Sequence, residues 1–195
     1  MVSFMAKSIK SRCWWCGEDP IYVKYHDEEW GVPIHDDRTL FEFLILEGFQ
    51  AGLSWITILK KRDNFRAAFA NFDPVKVSRF TKKDVHRLMQ NAGIVRNRSK
   101  IEAAIGNAKA FLEAVREFGS FDKYIWQFTD YKVVRSKQKR SKINMPSRSL
   151  ESDNMSKDLK KRGFKFVGTT ICYAHMQATG MVDDHTAECF KFKRR

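Results

Sequence analysis

The sequence predicts an all-α fold, and three observations carry that expectation. Apolar residues recur at three- and four-residue spacing along most of the chain, while runs alternating apolar with polar are few. Asp, Ser and Thr stand where these stripes begin and Gly where they end, the positions at which free helix-terminal N–H and C=O groups need partners. The 195 residues are 43% hydrophobic and include 16 Phe and 5 Trp, enough to bury a substantial core.

The elements follow in order. Asp36 and Asp37 cap a helix that carries Leu40, Phe41, Leu44 and Ile45 on one stripe and breaks near Gly48 or Gly52. A second helix spans 54–69. Asp73-Pro74 opens a short helix, because a proline at the first helical position forfeits only an N–H that has no intrahelical partner. Thr81-Lys82-Lys83-Asp84 resembles a capping box with Asp in place of Glu; Val85, Leu88 and Met89 follow at helical spacing, and Gly93 stops that helix. A long helix is expected over 99–118, closed by Gly119, and a short one over 121–128 behind Ser120. From 131 to 148 stand seven cations, no acid and one proline without periodicity. This stretch, reaching 151 before the next helix is under way, reads as a mobile basic loop, either an insertion or a DNA-facing arm. Helices return over 152–162 before Gly163 and over 169–179 before Gly180. Residues 1–11 read as an N-terminal extension and 191–195 as a basic tail, leaving one domain of two helical lobes over 12–190. No internal repeat is present.

Thirty-six Lys and Arg against 23 Asp and Glu give a formal charge of +13, which implies a polyanionic partner, either nucleic acid or an anionic membrane surface. The apolar stretch Phe43-Leu44-Ile45-Leu46 is far short of the roughly 20 residues of a spanning helix. The first twelve residues carry three cations but no apolar core of a secretory signal, so the expected location is cytoplasmic. There, four cysteines favour thiols or metal ligands over disulfides.

Three constellations could carry chemistry. In segment 88–101 a helix ends at a glycine, a short turn holds Gly93, Ile94, Val95 and Arg96, and a second helix begins. That is the form of a helix-hairpin-helix near 82–118, whose turn can aim backbone N–H groups and a helix N-terminus at one phosphate, with Arg96, Arg98 and Lys100 adding charge. An ordinary αα-turn has the same outline; the net charge favours the phosphate reading. Second, Cys13 and His26 near the start and His185 and Cys189 near the end are soft ligands, and a Cys2His2 set is typical of structural zinc. In a helix turn, His185 and Cys189 would share one face. Cys13-Trp14-Trp15-Cys16 is the competing CxxC reading, though no βαβ pattern surrounds it. Cys172, in an apolar helix, reads as a core thiol. Third, Glu47 follows four apolar residues. It could snorkel, pair with a cation, or sit in a pocket; Tyr25, Trp30 and Trp55 in glycine-containing flanks could be core or could stack on a base.

With these residues in view, the chain closely resembles the bacterial 3-methyladenine DNA glycosylase I family. The likeness runs through Asp19-Pro20-Ile21-Tyr22, 25–33, Leu46-Glu47-Gly48, Gln50-Ala51-Gly52-Leu53-Ser54-Trp55, 72–77, Ala92-Gly93-Ile94-Val95, 161–168, and Asp184-His185 with Cys189. It spans about residues 12–189 apart from the basic loop. The resemblance implies a helix-hairpin-helix glycosylase with one structural zinc held by Cys13, His26, His185 and Cys189, joining the terminal segments. It also implies a base pocket of Glu47, Tyr25, Trp30 and Trp55, with Trp15 and Tyr22 nearby, and Leu53 as the plug that fills the gap of a flipped base. The implied activity is hydrolysis of the N-glycosidic bond of N3-alkylated purines, chiefly 3-methyladenine, in duplex DNA, by a monomeric and monofunctional enzyme. Phe49 stands where the family pattern carries Gln, which would put an apolar wedge beside the plug. Many helix-hairpin-helix glycosylases place a catalytic Asp after the hairpin; 99–118 contains only Glu102, Glu113 and Glu117, and the resembled family lacks that Asp as well. A different class of reading is a non-catalytic zinc-stabilised helix-hairpin-helix module that binds DNA.

Overall fold

The computed structural model describes residues 10–136 and 138–192. Helix α1 (Pro20–Glu28) begins where the Asp19 carboxylate accepts the Ile21 N–H at 3.0 Å with proline at the first helical position. The Asp-Pro signal is the one recognised at Asp73-Pro74, so this helix was legible, yet it was not among the expected ones. Helix α2 (Asp37–Gln50) starts at Asp36, whose carboxylate accepts the Thr39 N–H at 2.8 Å. It is buried without a break from Leu40 to Phe49, as a helix enclosed on all sides must be. Gly48 therefore stays inside it, and the break falls at Ala51 and Gly52, where φ turns positive.

The remaining helices are α3 (Trp55–Ala68), α4 (Pro74–Ser78), α5 (Lys82–Gln90), α6 (Arg98–Phe118), α7 (Phe121–Trp126), α8 (Leu150–Lys161) and α9 (Thr169–Ala178). Helix α2 forms the axis, packed by α3, α6, α7 and α9. Its Asp37 carboxylate also caps α7, accepting the N–H groups of Phe121 and Asp122 at 2.9 and 2.8 Å. The Asp84 capping box is present, with the Thr81 N–H donating to Asp84 at 2.8 Å. Helix α5 stops at Gln90, three residues before Gly93. Gly119, at φ +85°, ends α6 as the sequence predicts.

Two expectations change. A short parallel ladder, β1 (Val134–Arg135) with β2 (Val182–Asp183), interrupts an otherwise helical chain. The basic loop carrying β1 is tied down rather than free: Arg135 pairs with Asp183, Arg140 with buried Asp184, and Arg148 with Asp153. Its missing acids lie elsewhere in the chain, so the segment's own composition could not reveal the pairing. Residues 1–9 and 193–195, most of the expected extension and tail, lie outside the described residues.

The main core gathers Phe41, Phe65, Phe69, Phe72, Phe111, Phe121 and Tyr124 around α2. Phe49 belongs to it, 4.8 Å from Phe65 and 5.7 Å from Phe69 between ring centroids, so it is a packing residue and not a wedge beside the plug. A second, smaller cluster unites Cys13, Tyr25, Trp30, Phe43, Leu59, Ala178 and Cys189, drawing the two ends of the chain onto α1.

Candidate functional site

A cavity of about 270 Å³ opens beside this second cluster, lined by Trp14, Trp15, Tyr22, Tyr25, Trp30, Glu47, Gln50, Trp55, Met145, Ala174 and Gln177. Helix α1 brings Tyr22 and Tyr25 in, one helical turn apart, and α2 brings Glu47 and Gln50 at the same spacing. The rings interlock: Trp15 stands edge-on to Trp30 at 4.8 Å, and Tyr25 lies 5.6 Å from Trp55. Thus Glu47, Tyr25, Trp30, Trp55, Trp15 and Tyr22 all converge, although they come from four separate stretches of chain. Tyr25 and Trp30 are nearly wholly buried, so they form walls and not exposed stacking platforms. Trp14, Gln50, Met145, Ala174 and Gln177 went unrecognised in the sequence. Gln50 had a signal, three residues after Glu47, and Trp14 one beside Trp15; Met145, Ala174 and Gln177 are brought in only by the packing of distant segments.

Glu47 is 4% exposed, and no cation or hydrogen-bond donor among the described residues reaches its carboxyl. Burial alone lifts its pKa from the usual 4.5 to about 8. Burial likewise pushes Tyr22 up to about 12 and holds Tyr25 well above 10, with Glu47 adding to both shifts. Both phenols are neutral donors at neutral pH. The cavity thus offers flat aromatic walls and a carboxyl that lacks a partner.

The four ligands named from the family resemblance lie together. Cys13, His26, His185 and Cys189 are all buried, and one donor atom from each lies within 4.8 Å of the others. Cys13 Sγ is 3.5 Å from His185 Nδ1, and Cys189 Sγ is 3.4 Å from His26 Nε2 and 3.5 Å from His185 Nδ1. Tetrahedral bonds of about 2.3 Å to sulfur and about 2.0 Å to nitrogen require S···N edges of about 3.5 Å, so the donor set fits a zinc-sized ion. His26 Nδ1 meets Asp27 Oδ1 at 2.9 Å, and Arg12 clamps that carboxylate, which leaves Nε2 to face the cluster. The Arg12 guanidinium and the His26 contact hold Asp27 down at about 2. Gly31 is required behind His185: a Cβ there would stand 3.0 Å from Nε2, and φ is +74°. His185 and Cys189 meet through a turn, closed by the Cys189 N–H to Thr186 O at 2.9 Å, and not along a helix. Cys16 lies outside the cluster, 3.8 Å from the Tyr22 carbonyl, and Cys172 is a buried thiol in α9.

The loop between α2 and α3 carries Leu53, 39% exposed, on a turn where the Leu53 N–H donates to Gln50 O and the Gln50 side chain returns to Leu53 O, each at 2.6 Å. Between α5 and α6, Ile94 is buried, Val95 half-buried and Arg96 exposed, while the N–H groups of Val95 and Arg96 have no acceptor among the described residues. Gly93 packs on α3, where a Cβ would come within 2.9 Å of Asn64 Cγ. Lys100 does not add charge at this turn as expected. It is buried and its ammonium donates to Phe49 O at 2.9 Å and Ala51 O at 2.6 Å, closing the negative end of α2.

Aromatic walls around one buried carboxyl leave room for a flat, hydrogen-bonding heterocycle. The comparisons agree. The profile of the methyladenine glycosylase family matches residues 15–192. DNA-3-methyladenine glycosylase 1 of Escherichia coli strain K12 is 53% identical over 178 residues, 91% of this chain and 95% of that one. Among solved structures, a crystal structure of 3-methyladenine DNA glycosylase I gives a TM-score of 0.91 at 51% identity, covering 94% of this chain and 100% of that one. A variant of such an enzyme in complex with 3-methyladenine gives 0.89 at 37% identity, covering 94% of this chain and 99% of that one. The chain belongs to the methyladenine glycosylase family and is a DNA glycosylase. Among the described residues no helix is long and apolar enough to cross a membrane.

Proposed function

We propose that this enzyme hydrolyses the N-glycosidic bond of N3-alkylated purines, chiefly 3-methyladenine, in duplex DNA, through one domain that acts as a monomer. The observation that carries this reading is Glu47: a buried carboxyl without a cationic partner, in the wall of an aromatic cavity. N3-alkylation makes the purine cationic, so electron-rich Tyr25, Trp30 and Trp55 attract it and Glu47 accepts its exocyclic N–H. Unmodified adenine gains less from both. Flipping the nucleotide out costs a few kcal/mol, least where the lesion has already weakened pairing, and Leu53 fills the gap.

In the chemical step, water adds to the anomeric carbon as the bond to the purine nitrogen breaks. The bonding pair leaves with the base and cancels its positive charge, and the water's proton is released. The cationic base draws the Glu47 proton off by favouring its ionised form, and the carboxylate then fixes the base and stabilises the positive charge that develops on the sugar. Among the described residues no lysine lines the cavity to form a Schiff base, which supports a monofunctional reaction. The α5–α6 segment acts as a helix-hairpin-helix, with Gly93, Ile94, Val95 and Arg96 presenting backbone N–H groups and one cation to a phosphate. Cys13, His26, His185 and Cys189 hold a structural zinc that staples the two chain ends; four protein ligands leave the metal no open position for chemistry.

The test is mass-spectrometric detection of free bases released from methylated duplex DNA. Release of 3-methyladenine with little 7-methylguanine is expected, and Glu47→Gln should slow it at least about tenfold. DNA binding without release by the folded, zinc-loaded protein would establish the non-catalytic module instead.

A further inference from the structure

Phe166 is one of three aromatics at positive φ among the described residues, with Phe72 and Tyr131. It sits between α8 and α9 at φ +57°, a left-handed conformation that crowds the Cβ of a bulky side chain against the backbone. Such strain persists only where the surroundings enforce it. Here buried Asn107 of α6 enforces it in both directions, its amide donating to Lys165 O at 2.9 Å and accepting the Lys165 N–H at 2.8 Å. The enforced conformation does not bury the ring. Phe166 is 37% exposed and joins neither hydrophobic cluster, and no aromatic ring among the described residues stacks on it.

Its position is specific. Gly48, next to Glu47, lies so close that a Cβ there would be 3.4 Å from the Phe166 Cβ. Phe166 shares a small cleft with Phe49 and Lys100, the lysine whose ammonium anchors Ala51 O in the loop that carries Leu53. Lys100 and Asn107 stand two turns apart on α6, one pinning each loop. The helix that follows the hairpin turn therefore holds two partly exposed apolar side chains, Leu53 and Phe166, beside the end of α2.

We propose that Phe166 is a second DNA-probing residue, an aromatic wedge that packs on the base stack next to the nucleotide Leu53 displaces. Apolar and aromatic side chains driven against base steps stabilise a kinked, unstacked duplex, which is the state from which a base flips. The inference rests on the glycosylase reading above, and the experiment separates the two.

The decisive variant is Phe166→Gly, since glycine adopts this backbone conformation freely. Single-turnover release of 3-methyladenine from methylated duplex DNA should fall at least about tenfold while thermal stability holds or rises. Binding of free 3-methyladenine, read from tryptophan quenching in the cavity, should stay within about twofold, and Phe166→Trp should retain duplex activity. Release within about twofold of the parent overturns the proposal, as does a fall in thermal stability together with lost free-base binding, which would mark Phe166 as a packing residue. Absence of release by the parent chain would refute the proposed function instead.

Discussion

Replacing Glu47 by Gln should make the protein more stable at alkaline pH while it slows base release. The carboxyl titrates near 4.5 when exposed and near 8 in the fold, because burial disfavours the anion. Below pH 4.5 both folded and unfolded chains hold the proton, so ionisation contributes nothing. As pH rises, the unfolded chain releases the proton and the folded chain keeps it until about 8, so stability falls through this window and the loss is complete above it. At about 1.4 kcal/mol per pH unit, the cost is of the order of 3 kcal/mol at pH 7 and 5 kcal/mol above pH 8. A glutamine escapes that cost but buries an amide without a partner, worth about 1–3 kcal/mol against the variant. The net expectation is little or no gain at pH 5 and a gain of about 2–3 kcal/mol at pH 8, or roughly 4–10 °C in the thermal midpoint. Urea unfolding of both proteins at pH 5, 6, 7 and 8 checks this. A difference between them that does not change with pH would refute the claim that Glu47 is buried without compensation, and with it the reason given for its affinity for a cation.

Other expectations follow from single contacts. About one zinc per chain should be found by elemental analysis, and Cys189→Ser or chelation should lower the thermal midpoint; undiminished stability of the metal-free protein would remove the staple. His175 lies fully buried in α9 with neither ring nitrogen bonded among the described residues, and burial lowers its pKa from 6.5 to about 4. Stability should therefore fall as pH drops from about 6.5 towards 4, and His175→Phe should abolish that part of the loss, seen in acid unfolding curves of the two proteins. Arg62 is buried between Glu42 and Glu29, over the Phe43 ring at 5.0 Å, and Arg66 remains as a second partner of Glu42 at 2.9 Å, so Arg62→Met should cost only about 1–3 kcal/mol in urea unfolding. Lys100→Met should uncouple the Leu53 loop from α6, slowing base release from duplex while free 3-methyladenine still binds, and Lys100→Arg should restore part of the rate.

Features that depend on neighbours along the chain were legible before folding. The caps at Asp36, Asp73 and Thr81 and the stop at Gly119 act within one turn, so their helices could be read directly. The missed α1 carried the same local signal at Asp19-Pro20. The family resemblance, which rests on whole motifs, named the cavity and cluster residues that the structure then brought together. Tertiary structure decided what depends on distant partners. Gly48 stays helical because burial around α2 outweighs the small helix preference lost at one glycine. Lys100 turns away from the hairpin because two carbonyls at the end of α2 offer its ammonium stronger bonds than solvent. The basic loop is fixed because Asp183, Asp184 and Asp153 lie within reach only after folding. Phe49 enters the core through rings on α3. Charge, caps and periodicity are properties of a segment, whereas desolvation and ion pairing belong to the assembled molecule; the pKa of Glu47 exists only there.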